Sequence, residues 1–309
     1  DNVNPQSNVQ MNTWTAILKE YPDGIPDYLK VKEKPKGYEK SFGHYSFIKL
    51  YADDPYNVYA NPTSWNTVAY YRGMPDSGRP GINNKTVKTE LNIAQNDVAV
   101  KVRDCIDPEA RFAKEMELRS KTLGLIYYLQ NELGLSWALD PAEGYDTPYN
   151  CANIDKMIAL DPSYAPFKEI LVHFPVLPYV RESYRIIGQH VLVSDEIDRI
   201  KGPHKFADAL CVNDYPEDLH GSRRPEDLDL DIDPTAIKKQ EITNWSAHCG
   251  EFQVPMGSFI PETLDGFLVA EKNLSQSRLA NGATRLQPST MNNGQAAGNI
   301  AALCVKYNC

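Results

Sequence analysis

Apolar residues recur at helical spacing in one long stretch, where Phe112, Met116, Leu123, Ile126, Leu129 and Leu133 mark a single stripe. Steps of three and four place such residues on one face of an α-helix. Asp107 is an N-cap residue, Pro108 suits the first helical position, and Gly134 suits the stop. The pattern predicts a helix over 108–134 whose stripe is core packing. Before it, the chain is rich in Tyr, Asn, Pro and Gly. The alternating runs His44–Leu50 and Ser64–Tyr71 predict strands, with turns at Pro75-Asp76-Ser77-Gly78 and Asn83-Asn84. Beyond it, Asp161–Glu169 and Ser194–Ile200 read as short helical or turn segments. Ile186–Val193 reads as a strand containing a glycine, and Phe252–Pro261 as strand and turn. Gly266–Ala270 reads as a buried strand, followed by a loop over Glu271–Thr290 and a small-residue helix over Gly294–Leu303. The mixture predicts an α+β fold with a mixed or antiparallel sheet.

The stretch Asp227–Asp233 alternates strictly, with Asp227, Asp229, Asp231 and Asp233 separated by Leu228, Leu230 and Ile232. On a strand this puts the carboxylates on one face. A calcium loop starting at Asp227 would need glycine where Ile232 stands and glutamate where Lys238 stands. A solvated edge strand is the expectation, and no metal site is assigned.

Composition narrows the function classes. The 309 residues are 42% hydrophobic and 24% charged, with a net charge of −9, so a nucleic-acid or anionic-membrane partner would need a compact basic face that is not found. No run of about eighteen apolar residues occurs, so no transmembrane helix is expected. The six cysteines, Cys105, Cys151, Cys211, Cys249, Cys304 and Cys309, contain no C-x-x-C pair. They permit either disulfides or buried thiols. Glycosylation triplets begin at Asn84, Asn244 and Asn273. Together with the cysteines they favour a secreted or otherwise extracytoplasmic glycoprotein with disulfides. The chain starts at Asp1 and shows no signal peptide, which fits a processed chain.

The informative segment is the last. Small residues at Gly294, Ala297, Gly298 and Ala301 let a helix approach another backbone or a flat ligand. Its N-terminus would present unbonded amides and the positive end of a dipole. A tightly packed helix without a ligand is the alternative.

Here the sequence resembles a known family. Gly266-Phe-Leu-Val-Ala270, Arg285-Leu-Gln-Pro-Ser-Thr-Met291 and Gly294-Gln-Ala-Ala-Gly298 resemble the C-terminal signature of FAD-dependent oxidoreductases of the glutathione-reductase-like class. The subgroup is the one labelled "FAD-dependent oxidoreductase" or "xanthan lyase". Arg181-Glu-Ser-Tyr-Arg-Ile-Ile-Gly188 resembles its R-E-x-R-R-I-x-G block. Val191–Val193, Asp195-Glu196, Phe206–Ala209, Tyr215–His220 and Val254–Pro261 follow in order. With Asn92–Asp97 the likeness spans about two thirds of the chain. The G-x-G-x-x-G loop that binds the FAD pyrophosphate in such proteins does not occur. The resemblance therefore implies the C-terminal, substrate- and flavin-interface portion of an α/β FAD-binding fold. Residues 1–260 would form a substrate or cap domain, and 261–309 would complete a flavin domain with a strand, loop and helix. A second chain or an N-terminal region would carry the dinucleotide-binding half, after processing at both ends. Residues 1–90 match no part of the family and are expected to cover the substrate pocket.

The resemblance also implies roles. Gly294, Gln295 and Ala296, at the helix start, would face the flavin's pyrimidine edge, where helix amides stabilise negative charge near N1 and O2. Arg285, Gln287, Pro288 and Met291 would line the isoalloxazine, and Asn273 and Leu274 would lie near the ribityl chain. Glu271-Lys272 departs from the family's usual residues there. Arg181 and Arg185 could clamp a carboxylate or a pyrophosphate; a structural ion pair with Glu182 is the alternative. His220, two residues after Asp218, is the candidate catalytic base, taking a proton as hydride leaves a small organic substrate for FAD; a surface histidine is the alternative. The rival reading of the whole chain is a cofactor-free extracellular binding or structural protein derived from the same fold.

Overall fold

A computed structural model of the chain describes residues 8–48, 65, 68, 69, 72, 73, 86–182, 184–198, 202–221 and 250–308. It divides into two compact units, Met11–Val180 and Asp1–Gln10 with Arg181–Cys309. The division falls at Val180, not at the 260/261 boundary expected from the sequence, so the whole block from Arg181 onward belongs to one unit. The architecture is α+β with small sheets, as expected.

The Met11–Val180 unit begins within β1(Asn8–Thr13) and continues with β2(Ile17–Glu20) and α1(Tyr38–Tyr45). Then come β3(Lys88–Glu90), β4(Asp97–Lys101), α2(Val102–Ile106), α3(Pro108–Tyr127), β5(Trp137–Leu139), α4(Pro148–Leu160) and α5(Lys168–Leu171). β2 is the centre of an antiparallel sheet of order β3-β2-β5, with Leu18 opposite both Thr89 and Leu139. The long helix starts as its sequence requires, because the Asp107 carboxylate accepts from the Glu109 and Ala110 amides at 2.9 and 3.2 Å. It ends in a π-helical turn, Tyr128–Glu132, and Gly134 leaves it at φ +65°. Its stripe packs on Trp14, Leu18, Trp137 and Phe174. Asn96 stitches this core by donating to the carbonyls of Trp14 and Leu91 and to Thr122 Oγ1, at 3.0–3.3 Å. The Arg119 guanidinium stacks 3.5 Å from the Trp14 ring centroid.

Two segments expected to be strands are not strands at their described residues. His44 lies in α1, where Tyr38 and Tyr45 are buried seven residues apart, a helical and not an alternating spacing. Trp65, Val68 and Ala69, within the second expected strand, are helical, and they too stand three and four residues apart. The expected turns at 75–78 and 83–84, and the acidic stretch 227–233, lie outside the described residues.

The second unit contains α6(Ser194–Ile197), β6(Ala209–Asp214), β7(Glu251–Pro255), α7(Arg278–Thr284) and α8(Gln287–Tyr307). β6 and β7 pair antiparallel with an irregularity between Ala209 and Cys211, and α8 lies against β6. Leu192, Phe252, Val254, Phe259, Leu274, Ala280, Ala283, Ala296 and Ala297 form the core. The expected strand 186–193 is instead an extended thread between two loops. Its amides at Gln189 and His190 donate to Ile260 and Gly257 on one side, and those at Ile186 and Leu192 to Asn273 and Ser275 on the other. Because both partners are irregular, only isolated bridges form, at Gly188 and Leu192. Gly266–Ala270 is likewise no strand. Gly266 has φ +71°, Phe267 is half exposed, and the Val269 amide alone reaches Phe259 O at 3.1 Å. The expected loop 271–290 contains α7, capped by Ser277 Oγ on the Ala280 amide at 3.1 Å, and the first turn of α8.

Among the described residues no disulfide joins Cys105, Cys151, Cys211 and Cys304 to one another, so the disulfide expectation finds no support there. Burial pushes the Cys211 thiol up to about 11, so it behaves as a core thiol. Ser275 of the third glycosylation triplet is fully buried and accepts from the Gly188 amide at 2.9 Å, which is no setting for a glycan acceptor. Cys249, Cys309 and the triplet at Asn244 lie outside the described residues. Among the described residues no helix is long and apolar enough to cross a membrane.

Gly188 sits where a side chain has no room. A Cβ there would stand 2.6 Å from Ser275 Cβ and 2.7 Å from Gly257 O. Gly188→Ala is expected to destabilise the chain by roughly 1–3 kcal/mol, the usual cost of overpacking, read as a lower denaturant midpoint with an unchanged slope.

Candidate active site

The second unit sets two carboxylates, the buried Glu182 and the half-buried Asp218, among four arginines. Glu182 is the first. Its Oε2 accepts from the Gln10 backbone amide at 2.6 Å and lies 3.4 Å from Arg278 Nε, and its Oε1 accepts from Arg185. Glu182 and Arg278 are nearly inaccessible. Buried charges persist when they are paired and hydrogen-bonded.

Asp218 is the second. Its Oδ2 lies 3.2 Å from His220 Nε2 and 2.8 Å from Arg285 Nη2, and the same Nη2 also donates to Asp218 O at 2.8 Å. Burial alone would raise this carboxyl. The hydrogen bond with His220 and the charges of His220, Arg285 and Arg181 outweigh it and hold the group at about 2. An ionised carboxylate only accepts, so the proton at their contact belongs to His220 Nε2, and Nδ1 is the ring's basic nitrogen. The loop is set by its surroundings. The Asp218 amide donates to Pro216 O at 2.7 Å, and the His220 amide donates to Gln10 Oε1 at 3.4 Å. Gln10 Nε2 in turn donates to Asn281 Oδ1 of α7 at 3.0 Å. Gly282 lets α7 lie on the loop, since a Cβ there would meet the Asp218 backbone at 3.2–3.4 Å.

The expected site residues sort into three groups. His220, Arg285 and Arg181 converge on Asp218. Arg185 pairs with Glu182, the alternative foreseen for it, and lies with Arg181 in an extended segment that is neither helix nor strand. Leu274 is fully buried core, and Asn273 closes its own turn by accepting from the Glu271 amide at 3.3 Å.

The remaining candidates lie on α8, where one expectation is corrected. The helix begins at Gln287, so Gly294, Gln295 and Ala296 stand about two turns inside it and not at its start. Pro288 in the first turn is the physical cause. The Thr290 amide makes the first helical bond, to Leu286 O at 2.8 Å, so the amides of Gln287 and Ser289 have no carbonyl within the helix. Gln287, Pro288, Met291 and Gln295 are exposed, and Ala296 is buried.

Gln10, Glu182, Arg278, Asn281 and Gly282 were missed as site residues. Gln10 is 172 residues from Glu182 and 271 from Asn281, and no local pattern links positions so far apart. Among the described residues no group of His, Cys, Asp and Glu could hold a metal ion.

A family model described as FAD dependent oxidoreductase matches residues 2–309 of the chain. No curated protein and no solved structure matches it. The group such proteins carry can be fitted to the residues present. A Cβ on Gly298 would meet nothing within 4 Å, one on Gly294 only Ala270 O at 3.9 Å, and Met291 is 75% exposed. This face of α8 is open, with amides that lack an intrahelical carbonyl at one end, and it suits the isoalloxazine end of FAD. It does not suit the pyrophosphate end, for which the sequence has no G-x-G-x-x-G loop.

Asp218 couples this site to acid stability. A carboxyl held at about 2, below its ordinary 3.8, stabilises the fold above the ordinary value and ceases to as pH falls toward 2. Asp218→Asn is expected to cost about 2–3 kcal/mol at neutral pH. The gap to the native chain should close on acidification to about pH 2, as measured by urea unfolding at stepped pH.

Proposed function

This chain belongs to the FAD-dependent oxidoreductase family, and we propose that its Arg181–Cys309 block is the flavin- and substrate-facing part of the enzyme, with His220 as the catalytic base. FAD, when bound, supplies the acceptor for hydride from a small hydroxylated or amine-bearing organic substrate. His220 takes the substrate's hydroxyl or ammonium proton, while Asp218 orients the ring through Nε2 and stabilises the imidazolium. The amides of Gln287 and Ser289, which have no carbonyl partner within the helix, would hold the flavin's pyrimidine edge, and Pro288, Met291 and the surface at Gly294 and Gln295 would line the ring. Ala296 and Leu274 support this wall from the core, and Asn273 fixes the turn beside it. Arg181 contributes charge to Asp218, and Arg185 holds Glu182.

One observation carries the reading: Arg285, which grips the carboxylate that orients His220, is two residues from the first residue of α8. A proton acceptor and an anion-stabilising helix start thus belong to one continuous piece of backbone. Nothing in this chain resembles a phosphate loop, and the described strands form only sheets of two or three. A further polypeptide segment, on a second chain or elsewhere in the precursor, therefore supplies the dinucleotide-binding half.

The first test is a visible absorption spectrum of the native material with a denaturing gel of the same sample. Flavin bands with a companion polypeptide bearing a glycine-rich phosphate loop are expected. Bands from this chain alone would overturn the supplied half, and a sample colourless even after added FAD would overturn the flavin wall. Second, His220→Gln should lower kcat by about 10²–10⁴-fold with the flavin spectrum unchanged. Full turnover by this variant would remove His220 from catalysis.

A further inference from the structure

Arg285 falls within the block that resembles the flavin-lining signature, yet its guanidinium is turned into the protein. Its side chain is only 1% exposed, and one nitrogen, Nη2, spans both the carbonyl and the carboxylate of Asp218. The carboxylate oxygen it takes, Oδ2, is the one that faces His220 Nε2. A guanidinium remains charged across the working pH range, whereas an imidazole titrates within it. The two cationic groups therefore share one acceptor, and only one of them can let go of its charge.

We propose that Arg285 is a positioning residue for His220: by holding Asp218 Oδ2 it fixes which imidazole nitrogen carries the proton and limits how much carboxylate charge reaches the ring. The inference rests on the reading of His220 as the base. An aspartate facing histidine alone makes that histidine strongly basic, and it would then stay protonated and unable to accept a proton near neutrality. An arginine on the same oxygen draws off part of that charge, which lowers the pull of Asp218 on the imidazole proton. Arg181 adds to the effect through its charge on Asp218. Among the described residues, Glu217 on the same loop and Glu182 with its partners Arg185 and Arg278 are the other charged groups nearby. Gln10 completes the arrangement without charge, tying the His220 backbone to α7 through Asn281.

The test is the His220 titration itself, followed by NMR on the full chain with ring-labelled histidine and assigned by loss of the signal in His220→Gln. Arg285→Gln should raise the His220 pKa by about one pH unit, because Asp218 then faces His220 with less competition. Arg285→Lys, which keeps a cation but not the planar guanidinium, should raise it by a smaller amount. Asp218→Asn should lower it. An unchanged value in both arginine variants, or in the lysine variant should the glutamine variant fail to fold, overturns the proposal. The two readings separate cleanly. If His220→Gln abolishes turnover while Arg285 variants leave the titration unmoved, the base stands and the coupling falls. If the titration moves but His220→Gln turns over normally, the coupling stands and the catalytic role falls.

Discussion

Two carboxylates, Glu182 taken out of water and Asp218 half-buried, organise the second unit. Glu182 could not remain ionised there alone, since a buried charge without a partner costs several kcal/mol, and Asp218 carries a smaller burial penalty of the same kind. Each therefore gathers cations and amides from separate parts of the chain. Glu182 draws in Gln10, Arg185 and Arg278, and Asp218 draws in His220 and Arg285. Satisfying them brings the start of the chain, the 181–185 segment, the 215–221 loop and α7 together.

The same constraint explains why glycines sit where they do. Gly188 lies against Ser275 and Gly257, and Gly282 against the Asp218 backbone, at separations that leave a side chain no comfortable volume. Those approaches bring the charged side chains within hydrogen-bonding reach. The thread around Gly188 makes strand-like bonds to loops on both sides without forming a sheet. A segment can thus be extended, buried and hydrogen-bonded while lacking any ladder, which is why apolar runs at 186–193 and 266–270 misled as strands.

Function follows from how the site is wired to α8. The helix starts at Gln287, with Pro288 in its first turn, and Arg285 immediately before it reaches back to Asp218. An open face on α8, amides at its start and a histidine oriented by a half-buried carboxylate make a place where a flat cofactor and a proton acceptor can meet. The match to FAD-dependent oxidoreductases over nearly the whole chain accords with that chemistry.

Local features were legible without coordinates: the helix capped by Asp107 and closed at Gly134, the small-residue helix near the C-terminus, the short strand at 251–255, and the family signature itself. These depend on spacing, capping and turn chemistry among near neighbours, which a linear chain displays directly. His220 and Arg285 were legible as candidates but not as a pair, because 65 residues separate them and only Asp218 joins them. Tertiary structure alone decided that Arg285 faces inward, that Arg185 is occupied by Glu182, and that Gln10 belongs to the site. Each of those outcomes turns on burial, and the cost of removing a charge from water is set by whichever distant groups the fold places around it.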